Sequence, residues 1–433
     1  MATHNGEEGV YIQTSFFTKE KRYAIEDTPF SLPVSSTRKD LNQLLNQLLS
    51  ENSDDKITRS IDFDFLINGT LLRKTLGDLT SSLSLTLENV VQIEYIERNP
   101  PPSLENELPH NDWVSAVHCN DNYILSGSYD HNVRIWSHSG KLITKCLGHD
   151  SKITDVAWLP RQPSPEGHMT FLSSSHDQHI HMWTFDPNED EESVRLKVIC
   201  KGHSRSVEAI AVSPYKENCK FVSCSWDKML KIWSGEIGGA DVNDDDEDKQ
   251  AKRSNINLSS KPSSRAPVAT LAGHTHPIMC MTWADDGVLY SCGYDHCIRE
   301  WDMTTGVNTG IQNGSKVFLD IDKRPGSPLL VTSHTDKHIR IWDNRTDSPS
   351  VISCTLSSHH GWVKRVRWSP LSEYQIVSGC YDNTARMWDT RSPKVPLYTM
   401  AAHNGKLLCL DWSYRQLIAT GGADNTLRTF RVG

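Results

Sequence analysis

A histidine, a serine and an aspartate near the end of the first third of the chain have the residue types needed for covalent catalysis. His110 precedes Ser126, and Asp130 follows in the stretch LSGSYDHNVRIW. A serine hydrolase needs these three types, because a histidine must take the serine proton and a carboxylate must orient the histidine. The types alone permit nucleophilic catalysis, so the number of times the pattern occurs must decide between an active site and a structural motif.

The pattern recurs along most of the chain. An aspartate is followed six residues later by an aromatic residue at Asp130/Trp136, Asp177/Trp183, Asp227/Trp233, Asp295/Trp301, Asp336/Trp342, Asp382/Trp388 and Asp424/Phe430. A hydroxyl residue lies four residues before each aspartate, at Ser126, Ser173, Ser223, Ser291, Thr332, Ser378 and Thr420. An active site requires one such set, and the chain has no G-x-S-x-G turn to carry a nucleophile. We therefore interpret the pattern as a structural repeat.

The spacing of the repeat identifies a family. Successive aspartates are 47, 50, 68, 41, 46 and 42 residues apart, and WD40 repeats have a period of roughly 40–45 residues. Most units begin with a histidine, at His110, His149, His203, His274, His359 and His403. On these motifs the chain from about residue 104 to 433 resembles the WD-repeat family. The resemblance implies a seven-bladed β-propeller.

The same resemblance assigns a role to the recurring residues. In WD repeats the histidine, hydroxyl, aspartate and tryptophan form a buried hydrogen-bond chain, here called the frame, which holds the strands of a blade together. In the second to fourth units it comprises His149, Ser173, Asp177, Trp183, His203, Ser223, Asp227, Trp233, His274, Ser291, Asp295 and Trp301. The fifth unit has Ser315 near the histidine position, and the seventh has Phe430, which lacks an indole N–H. We expect those two blades to be held less rigidly.

Composition excludes several classes of protein. No stretch approaches the ~20 apolar residues needed to span a bilayer, and the N-terminus lacks a signal-peptide layout, so an intracellular protein without a membrane partner is expected. The net charge of −9 disfavours a globally basic nucleic-acid binder. Lys364, Arg365 and Arg367 form a local basic stretch, interpreted as a solvated face, with an RNA or protein contact as the alternative. The 11 scattered cysteines are expected to be reduced apolar groups rather than zinc ligands.

The N-terminal part has its own organisation. Residues 1–9 are expected to be disordered, and residues 10–98 lack the repeat. A strand at VYIQTSFF and a short one near YAIED precede a helix, and strands in FDFLINGTLL and VVQIEYIE follow. Thr37 and Asp40 can cap the helix, and its apolar stripe is Leu41, Leu44, Leu45, Leu48 and Leu49. With the tight-turn signal Asn68-Gly69, this order predicts a β-grasp, ubiquitin-like domain.

Two segments interrupt the repeats. Residues 99–109 are a linker before the propeller of residues 110–433, and PSLENEL within it is the segment available to complete the last blade, which ends at Gly433 without an outer strand. Residues 235–267 are acidic and rich in serine, which predicts a disordered insertion. The run Lys249–Arg253 in this insertion is a candidate nuclear import signal, although short basic runs are common.

The combination of domains narrows the family further. FFTKEKRYAIEDTPFSLPVS, FDFLINGTLLRKTLGDL and NDWVSAV resemble the NLE-type ubiquitin-like domain joined to a propeller in the WD repeat-containing protein 12 family. The resemblance implies a non-enzymatic nucleolar and nucleoplasmic factor for large (60S) ribosomal subunit assembly and rRNA processing, without a cofactor. Its implied partners are Pescadillo, the block-of-proliferation protein, pre-60S particles with an rRNA contact, and midasin, the AAA+ ATPase that removes it. No nucleotide-binding P-loop is present in the chain itself.

Two other functions and one further residue follow from these patterns. A Notchless-like assembly factor would have eight repeats, and a ubiquitin-ligase adaptor would co-purify with a ligase rather than with pre-ribosomes.

Matching LLRKTLGDL and VVQIEY to the NLE pattern places Glu88 at the acidic position that completes a metal ion's coordination in midasin's MIDAS domain. Asp78, Glu94 or Glu97 takes that role if the register differs. No metal site is expected within the isolated chain.

Overall fold

The computed structural model describes residues 10–52, 60–85, 89–160, 168–188, 193–214, 219–237, 262–284, 287–324, 326–343 and 352–432. The chain divides into two compact units. The first comprises the residues up to Pro101 together with Arg391–Pro396, and the second comprises Pro102–Thr390 and Leu397–Val432. Residues 1–9, Glu88 and the run Lys249–Arg253 lie outside the described residues.

The first unit is a sheet with a helix packed on it. Its strands are Tyr11–Phe17, Pro29–Pro33, Phe63–Ile67, Thr70–Leu71 and Val91–Glu97, and its helices are Arg38–Asn52 and Leu76–Ser82, with a 3-10 turn at Lys21–Tyr23. The first and last of these strands run parallel at the centre of the sheet, with the second strand at one edge and the fourth at the other. This order is that of a β-grasp domain.

The long helix covers the sheet through the predicted leucine stripe. Leu41, Leu45 and Leu49 are buried in one core with aromatic residues of the strands. Asn42 fixes the helix on the sheet, because its amide oxygen accepts from the backbone N–H of Phe63 at 2.7 Å and its NH₂ group donates to the Phe63 carbonyl at 2.9 Å. The helix therefore has both an apolar and a directional contact with the sheet.

The N-terminus of this helix and the Asn-Gly turn follow the sequence prediction. The backbone N–H and the hydroxyl of Thr37 both donate to Asp40, each at 2.8 Å. Asn68 and Gly69 have φ angles of 48° and 71°, the left-handed region that a tight hairpin turn requires at both central residues. The strands on either side of this turn pair antiparallel.

Two predictions for the first unit are wrong or incomplete. The second strand is Pro29–Pro33 rather than the segment near YAIED, where Lys21–Tyr23 forms a 3-10 turn. Tyr23 is buried and its carbonyl accepts a 2.5 Å hydrogen bond from the Tyr95 hydroxyl, which holds the chain away from the sheet there. A proline can begin an edge strand because its missing N–H is not needed. The helix Leu76–Ser82, capped by Thr75, was not predicted.

The described residues of the second unit form seven sheets, here called blades 1 to 7. Each has four antiparallel strands, and blade 2 has a fifth strand in addition. Blades 1 to 3 contain Val114–Cys119, Tyr123–Ser128, Val133–Ser137, Leu142–Cys146; Ile153–Trp158, Met169–Ser175, Ile180–Phe185, Val194–Cys200; and Val207–Val212, Lys220–Ser225, Met229–Ser234, Ala269–Ala272. Blades 4 and 5 contain Ile278–Trp283, Val288–Gly293, Cys297–Asp302, Val307–Asn313; and Phe318–Lys323, Leu329–His334, His338–Asp343, Ile352–Ser357. Blades 6 and 7 contain Val363–Trp368, Gln375–Cys380, Ala385–Asp389, Tyr398–Met400; and Leu407–Asp411, Leu417–Gly422, Thr426–Arg431, with Ser103–Pro109 as the fourth strand.

The first strand of each blade is the inner strand, and neighbouring inner strands lie against one another around a ring. Side chains on these strands accept hydrogen bonds from the backbone of the next blade. Asp155 accepts from the N–H of Ile210, and Asp411 of blade 7 accepts from the N–H of Cys119 in blade 1, each at 2.8 Å. The second of these bonds joins the last blade to the first.

The ring is also closed by strand pairing. The segment Ser103–Pro109, which precedes blade 1 in sequence, pairs antiparallel with Thr426–Arg431. The chain therefore runs directly from the outer strand of blade 7 into blade 1. This pairing covers the edge of Thr426–Arg431 and makes Ser103–Pro109 the outer strand of the blade.

The end of the predicted insertion is ordered, contrary to the expectation for residues 235–267. Ser263–Arg265 forms a strand parallel to Val194–Cys200, as a fifth strand of blade 2. Arg265 is buried, and its guanidinium donates to the Ser234 carbonyl at 2.7 Å. The serine-rich composition predicted disorder. The segment is ordered because its backbone pairs with the edge strand of blade 2 and its arginine bonds a carbonyl. In a disordered chain these polar groups would be hydrogen-bonded to water instead.

Candidate functional site

The aspartate of each repeat lies in a turn with a fixed backbone conformation. The residue after the aspartate has a positive φ in all seven blades: His131, Gln178, Lys228, His296, Lys337, Asn383 and Asn425. In blade 3 the turn is further held by Asp227, whose carboxylate accepts from the N–H of Met229 at 3.0 Å, while its own N–H donates to the Ser225 hydroxyl at 3.1 Å. The turn thus directs the carboxylate back toward the frame histidine.

The structure brings together the frame residues of blades 2, 3 and 4. In blade 2, Ser173 accepts from the Trp183 indole N–H at 2.9 Å and lies 2.8 Å from Nε2 of His149, whose Nδ1 is 2.7 Å from Asp177. The Nδ1–H tautomer satisfies all these atoms, because Nδ1 then donates to the carboxylate and Nε2 accepts the hydroxyl proton.

Blades 3 and 4 repeat this arrangement within 0.1 Å. The three distances are 2.8, 2.7 and 2.7 Å for His203, Ser223, Asp227 and Trp233. They are 2.9, 2.7 and 2.7 Å for His274, Ser291, Asp295 and Trp301. Three sets with the same geometry are what a repeated structural device requires.

The hydroxyl, histidine and carboxylate share the connectivity of a catalytic triad, but the serine cannot act as a nucleophile. Ser173, Ser223 and Ser291 have no exposed surface. Each hydroxyl oxygen also accepts from an indole N–H, which occupies a lone pair that an attack would need. The arrangement stabilises the blade and offers no access to a substrate.

Hydrogen bonding sets the charge of the frame carboxylates. Burial raises the pKa of Asp227, but the hydrogen bond and charge interaction with His203 outweigh it, and the net pKa is lowered. The pKa of Asp295 is lowered in the same way by His274. Both carboxylates are therefore ionised at neutral pH.

Blades 1 and 5 use an arginine where the others use a histidine. Asp130 pairs with Arg134 and Asp336 with Arg340, each at 2.5 Å. His110 still lies 2.8 Å from Ser126, but its Nδ1 is bonded to the Leu108 carbonyl at 3.1 Å. The four-member chain implied by the family is therefore changed in blade 1 as well as in blade 5.

Blade 5 also takes its histidine from a different position. Sequence reasoning identified Ser315 as a departure but missed His334, whose Nε2 lies 2.8 Å from the Thr332 hydroxyl. The Trp342 indole donates to the same hydroxyl at 2.7 Å. A histidine two residues after the hydroxyl, together with an arginine four residues after the aspartate, was the available sequence signal.

Blade 7 keeps the histidine and lacks the indole. His403 lies 3.0 Å from the Thr420 hydroxyl and 2.9 Å from Asp424. Phe430 is buried at the tryptophan position and donates no hydrogen bond. The hydroxyl of this blade therefore has one fewer donor than those of blades 2 to 4.

The basic stretch of blade 6 is not the solvated face that the sequence suggested. Asp320 of blade 5 is fully buried, and its carboxylate lies 2.7 Å from the Arg367 guanidinium and 3.4 Å from that of Arg365. Burial raises the pKa of Asp320, but the two arginines outweigh it and the net pKa is lowered. The alternation of this inner strand directs the arginines toward the axis, where the neighbouring blade supplies their counter-charge.

One cluster of side chains in the described residues has the types of a metal site. Candidate ligand atoms of His359, Cys380 and Asp382 lie within 4.8 Å of one another. His359 is already engaged by Asp382 at 3.0 Å and by Ser378 at 2.8 Å. Burial raises the pKa of Cys380 to about 12, so the sulfur is a thiol rather than a thiolate. This cluster belongs to the frame of blade 6.

Most of the cysteines are buried. All eleven cysteines lie in described segments and are free thiols. Eight are buried: Cys119, Cys146, Cys200, Cys224, Cys280, Cys292, Cys380 and Cys409. Among the described helices, none has both the length and the apolar composition to cross a membrane.

The acidic residue singled out in the first unit, Glu88, lies outside the described residues, between the helix Leu76–Ser82 and the strand Val91–Glu97. The three alternatives are described. Asp78 is exposed in the first turn of that helix, whereas Glu94 lies 3.6 Å from the Lys19 ammonium group. Glu97 is bonded by Arg22 at 2.5 Å and by the Tyr23 hydroxyl at 3.2 Å.

Comparison with known proteins agrees with both units. Residues 12–80 match the NLE (NUC135) domain. The WD domain, G-beta repeat, matches at residues 103–137, 140–184, 194–234, 265–302, 311–343, 350–389 and 394–431. Seven matches correspond to the seven blades, and the predicted fold class, mainly β with a small N-terminal domain before WD repeats, is confirmed.

Similar proteins extend the match to nearly the whole chain. A ribosome biogenesis protein WDR12 homolog of Nematostella vectensis is 40% identical over 419 residues, which is 96% of this chain and 98% of that protein. The homolog of Ixodes scapularis is 40% identical over 428 residues, covering 98% and 99%. That of Drosophila mojavensis is 38% identical over 432 residues, covering 100% and 97%.

Proposed function

Since this chain belongs to the WD repeat-containing protein 12 family of ribosome biogenesis proteins, we propose that it is a non-enzymatic scaffold for large ribosomal subunit assembly and rRNA processing. The observation that carries this proposal is the pairing of an NLE domain with seven WD repeats, in the same order and over nearly the full length of relatives named for ribosome biogenesis. A scaffold role also suits the buried, hydrogen-bonded serines of the frame. Its place of action is the nucleolus and nucleoplasm.

The proposed partners are Pescadillo, the block-of-proliferation protein and the pre-60S particle with its rRNA. A propeller suits such a role because its rigid blades hold loops on which different partners can dock. Midasin is the proposed motor for removal of the protein, and any ATP belongs to that partner. Of the two rival functions, a Notchless-like factor is disfavoured by the seven blades, since that family resembles an eight-repeat propeller.

Affinity purification of the tagged full chain tests this function. We expect mass spectrometry to detect Pescadillo, the block-of-proliferation protein and large-subunit proteins, and gel analysis to detect large-subunit precursor rRNA. Recovery of a ubiquitin ligase without pre-ribosomal RNA would instead support the adaptor function and reject the scaffold.

The proposed contact with midasin is through Glu88. A hard divalent cation such as Mg²⁺ prefers oxygen ligands, and a carboxylate from a partner can fill an open coordination position. Removing the charge with Glu88→Gln or Glu88→Ala, or shortening the side chain with Glu88→Asp, should weaken binding to midasin's MIDAS domain. The fold and the complex with Pescadillo should be unchanged, so the variants should enter pre-ribosomes and remain there.

A pull-down with the isolated MIDAS domain, with and without a chelator, decides this contact. Asp78→Asn is the matched control, because Asp78 is an exposed carboxylate of the same unit and its loss should leave binding intact. Binding that survives the chelator, or full binding by Glu88→Ala, rejects a metal bridge through Glu88. Loss of binding by Asp78→Asn alone would transfer the role to that residue.

A further inference from the structure

Six blades present two residues side by side at the end that carries the aspartate turns. One residue precedes the frame aspartate and the other directly precedes the inner strand, and the N–H of the first donates to the carbonyl of the second at 2.8–3.1 Å. The pairs are Tyr129 with Trp113, His176 with Lys152, Trp226 with Ser206, Tyr294 with Pro277, Tyr381 with Trp362 and Ala423 with Lys406. We call the surface made by these pairs the turn face.

Blades 1 and 2 build an aromatic and cationic module on the turn face. The rings of Trp113 and Tyr129 have centroids 5.4 Å apart. The Lys152 ammonium group, from the neighbouring blade, lies 4.6 Å from the centroid of the Tyr129 ring, within the range of a cation–π interaction. The indole is 43% exposed, so the module offers a flat apolar surface next to a positive charge.

Blades 6 and 7 build the same module from different residues. Trp362 and Tyr381 are stacked, with centroids 6.0 Å apart and an interplanar angle of 21°. The Lys406 ammonium group of the next blade lies 5.4 Å from the centroid of the Tyr381 ring. Trp362 is 48% exposed. Blade 7 contributes Lys406 to this module, and at the position that corresponds to the two tyrosines it has the small residue Ala423.

Further rings lie on the same surface. Trp226, which is 40% exposed, and Tyr294 of the next blade have centroids 6.4 Å apart. Burial raises the pKa of Tyr381, and the charges of Tyr129 and Tyr294 contribute to the same increase. Each of these three tyrosines directly precedes the frame aspartate of its blade, so all three lie at the end of the propeller that carries the aspartate turns.

The exposed charges of the turn face are mostly positive. In the aspartate turns and in the residues between the frame histidine position and the inner strand, the cationic side chains are Lys152, Arg205, Lys228, Lys316, Lys337 and Lys406. Apart from the frame aspartates, which bond inward, the carboxylates of these segments are Asp112 and Asp150. A surface of this sign is unusual on a chain with a net charge of −9 and attracts an anionic partner.

We propose that the turn face binds single-stranded RNA, with bases stacked on the exposed indoles of Trp113 and Trp362 and phosphates held by Lys152 and Lys406. Aromatic platforms beside cations bind unpaired nucleotides without regard to sequence. Lysine is depleted in protein interfaces, so lysines beside exposed rings favour RNA over an acidic protein. The inference rests on the proposed function, because precursor rRNA is the RNA that an assembly factor meets.

Fluorescence anisotropy with the full chain and a labelled single-stranded RNA of mixed sequence tests the inference. Trp113→Ala and Trp362→Ala should each weaken binding by about 5- to 150-fold, the range for loss of one stacked base. The conservative variant Trp362→Phe should keep most of the affinity, because the phenyl ring still stacks. The wild-type chain should bind a duplex of the same sequence more weakly.

Charge variants separate phosphate contacts from a general charge effect. Lys152→Glu and Lys406→Glu should weaken binding and reduce its dependence on salt concentration, since each removes a phosphate contact. Lys220→Glu is the matched control, because Lys220 is exposed at the opposite end of its blade, and it should change neither quantity. All the substituted side chains are at least partly exposed, so melting temperatures should remain close to wild type.

Three outcomes would overturn the inference. The wild-type chain could bind duplex RNA with equal affinity, or both tryptophan variants could bind RNA as the wild type does. In the third, the turn-face variants retain RNA binding but lose a protein partner. The last would assign the turn face to a protein. Sedimentation of the wild-type chain with pre-ribosomes distinguishes this failure from failure of the proposed function. If the chain sediments with large-subunit precursors but binds no single-stranded RNA, only the RNA inference fails, whereas absence from these particles rejects the function itself.

Discussion

In blades 2, 3 and 4 a histidine bonds the turn aspartate, whereas in blades 1 and 5 an arginine four residues downstream takes its place. In both groups the buried hydroxyl still accepts from a tryptophan N–H and is hydrogen-bonded to a histidine ring nitrogen. The difference teaches that the fold keeps the buried hydroxyl and the turn aspartate hydrogen-bonded in both groups, but does not require the same residue type to bond the aspartate. Blade 7 differs in kind, because Phe430 removes a donor without replacing it.

The largest expected effect concerns the strand that completes blade 7. A chain beginning at Asn111 lacks Ser103–Pro109, which pairs with Thr426–Arg431, and should aggregate or melt far below a chain beginning at Asn99. Removing the strand exposes the edges of the last blade and its apolar packing. Thermal melting of the two chains measures the effect, and equal midpoints would contradict closure through this strand.

The contrast between complete and incomplete frames predicts unequal costs for losing the hydroxyl. Ser223→Ala leaves both His203 and Trp233 without a partner, at about 1–3 kcal/mol for each unsatisfied group. Thr420→Val in blade 7 leaves only His403, so the loss in free energy of unfolding should be about half as large. Urea denaturation compares the two variants, and a larger loss for Thr420→Val would refute the comparison.

The substituted histidine of blade 5 predicts a dependence on pH. Burial, with a contribution from Arg340, lowers the pKa of His334 to about 3, whereas an unfolded histidine titrates near about 6.5. The unfolded chain therefore takes up the proton first as pH falls. The stability due to the neutral ring is complete above about pH 6.5 and is lost progressively toward about pH 3.

The variant His334→Asn should show a smaller drop in melting temperature than wild type between about pH 7 and pH 5, because this titration is absent. His131→Asn is the control, since His131 is exposed and follows the aspartate of blade 1 with a positive φ that asparagine also tolerates. Its pH profile should match that of wild type. If the melting temperature falls equally with pH in the wild type and both variants, His334 is not buried in the neutral form.

The smallest effect concerns the insertion. Deleting residues 239–260 should leave the melting temperature nearly unchanged, because closure entropy grows only slowly with loop length. Extending the deletion to residue 265 removes the fifth strand of blade 2 and the bond from Arg265 to Ser234, and should lower the temperature measurably. If the shorter deletion prevents folding, the segment has a structural role.

Much of the fold was predictable because it is periodic. Seven copies of one spacing identified the blades, and the leucine stripe with Asn68-Gly69 identified the β-grasp unit. The predictions failed where a single residue depends on a distant one. The strand near YAIED was displaced because Tyr23 enters the core, and Arg365 and Arg367 were assigned to a solvated face because their counter-charge, Asp320, is on another blade.

The site was predictable to a different extent. The frame histidine, hydroxyl, aspartate and tryptophan could be assigned wherever they follow one another in the regular order. His334 was missed because it follows the hydroxyl residue in sequence, whereas the expected histidine precedes it. The turn face could not be predicted from the repeat motif. Its aromatic pairs come together through backbone bonds between segments about 16–20 residues apart in sequence, such as the bond from Tyr129 to Trp113, and its lysines come from neighbouring blades.

The most direct test of the central claim, that this chain is a scaffold for large-subunit assembly, is an rRNA pulse-chase in cells depleted of the endogenous protein. The scaffold account predicts that precursors of the large-subunit rRNAs accumulate while small-subunit rRNA matures normally, and that the wild-type chain restores processing. Unchanged maturation of the large-subunit rRNAs after depletion would contradict it.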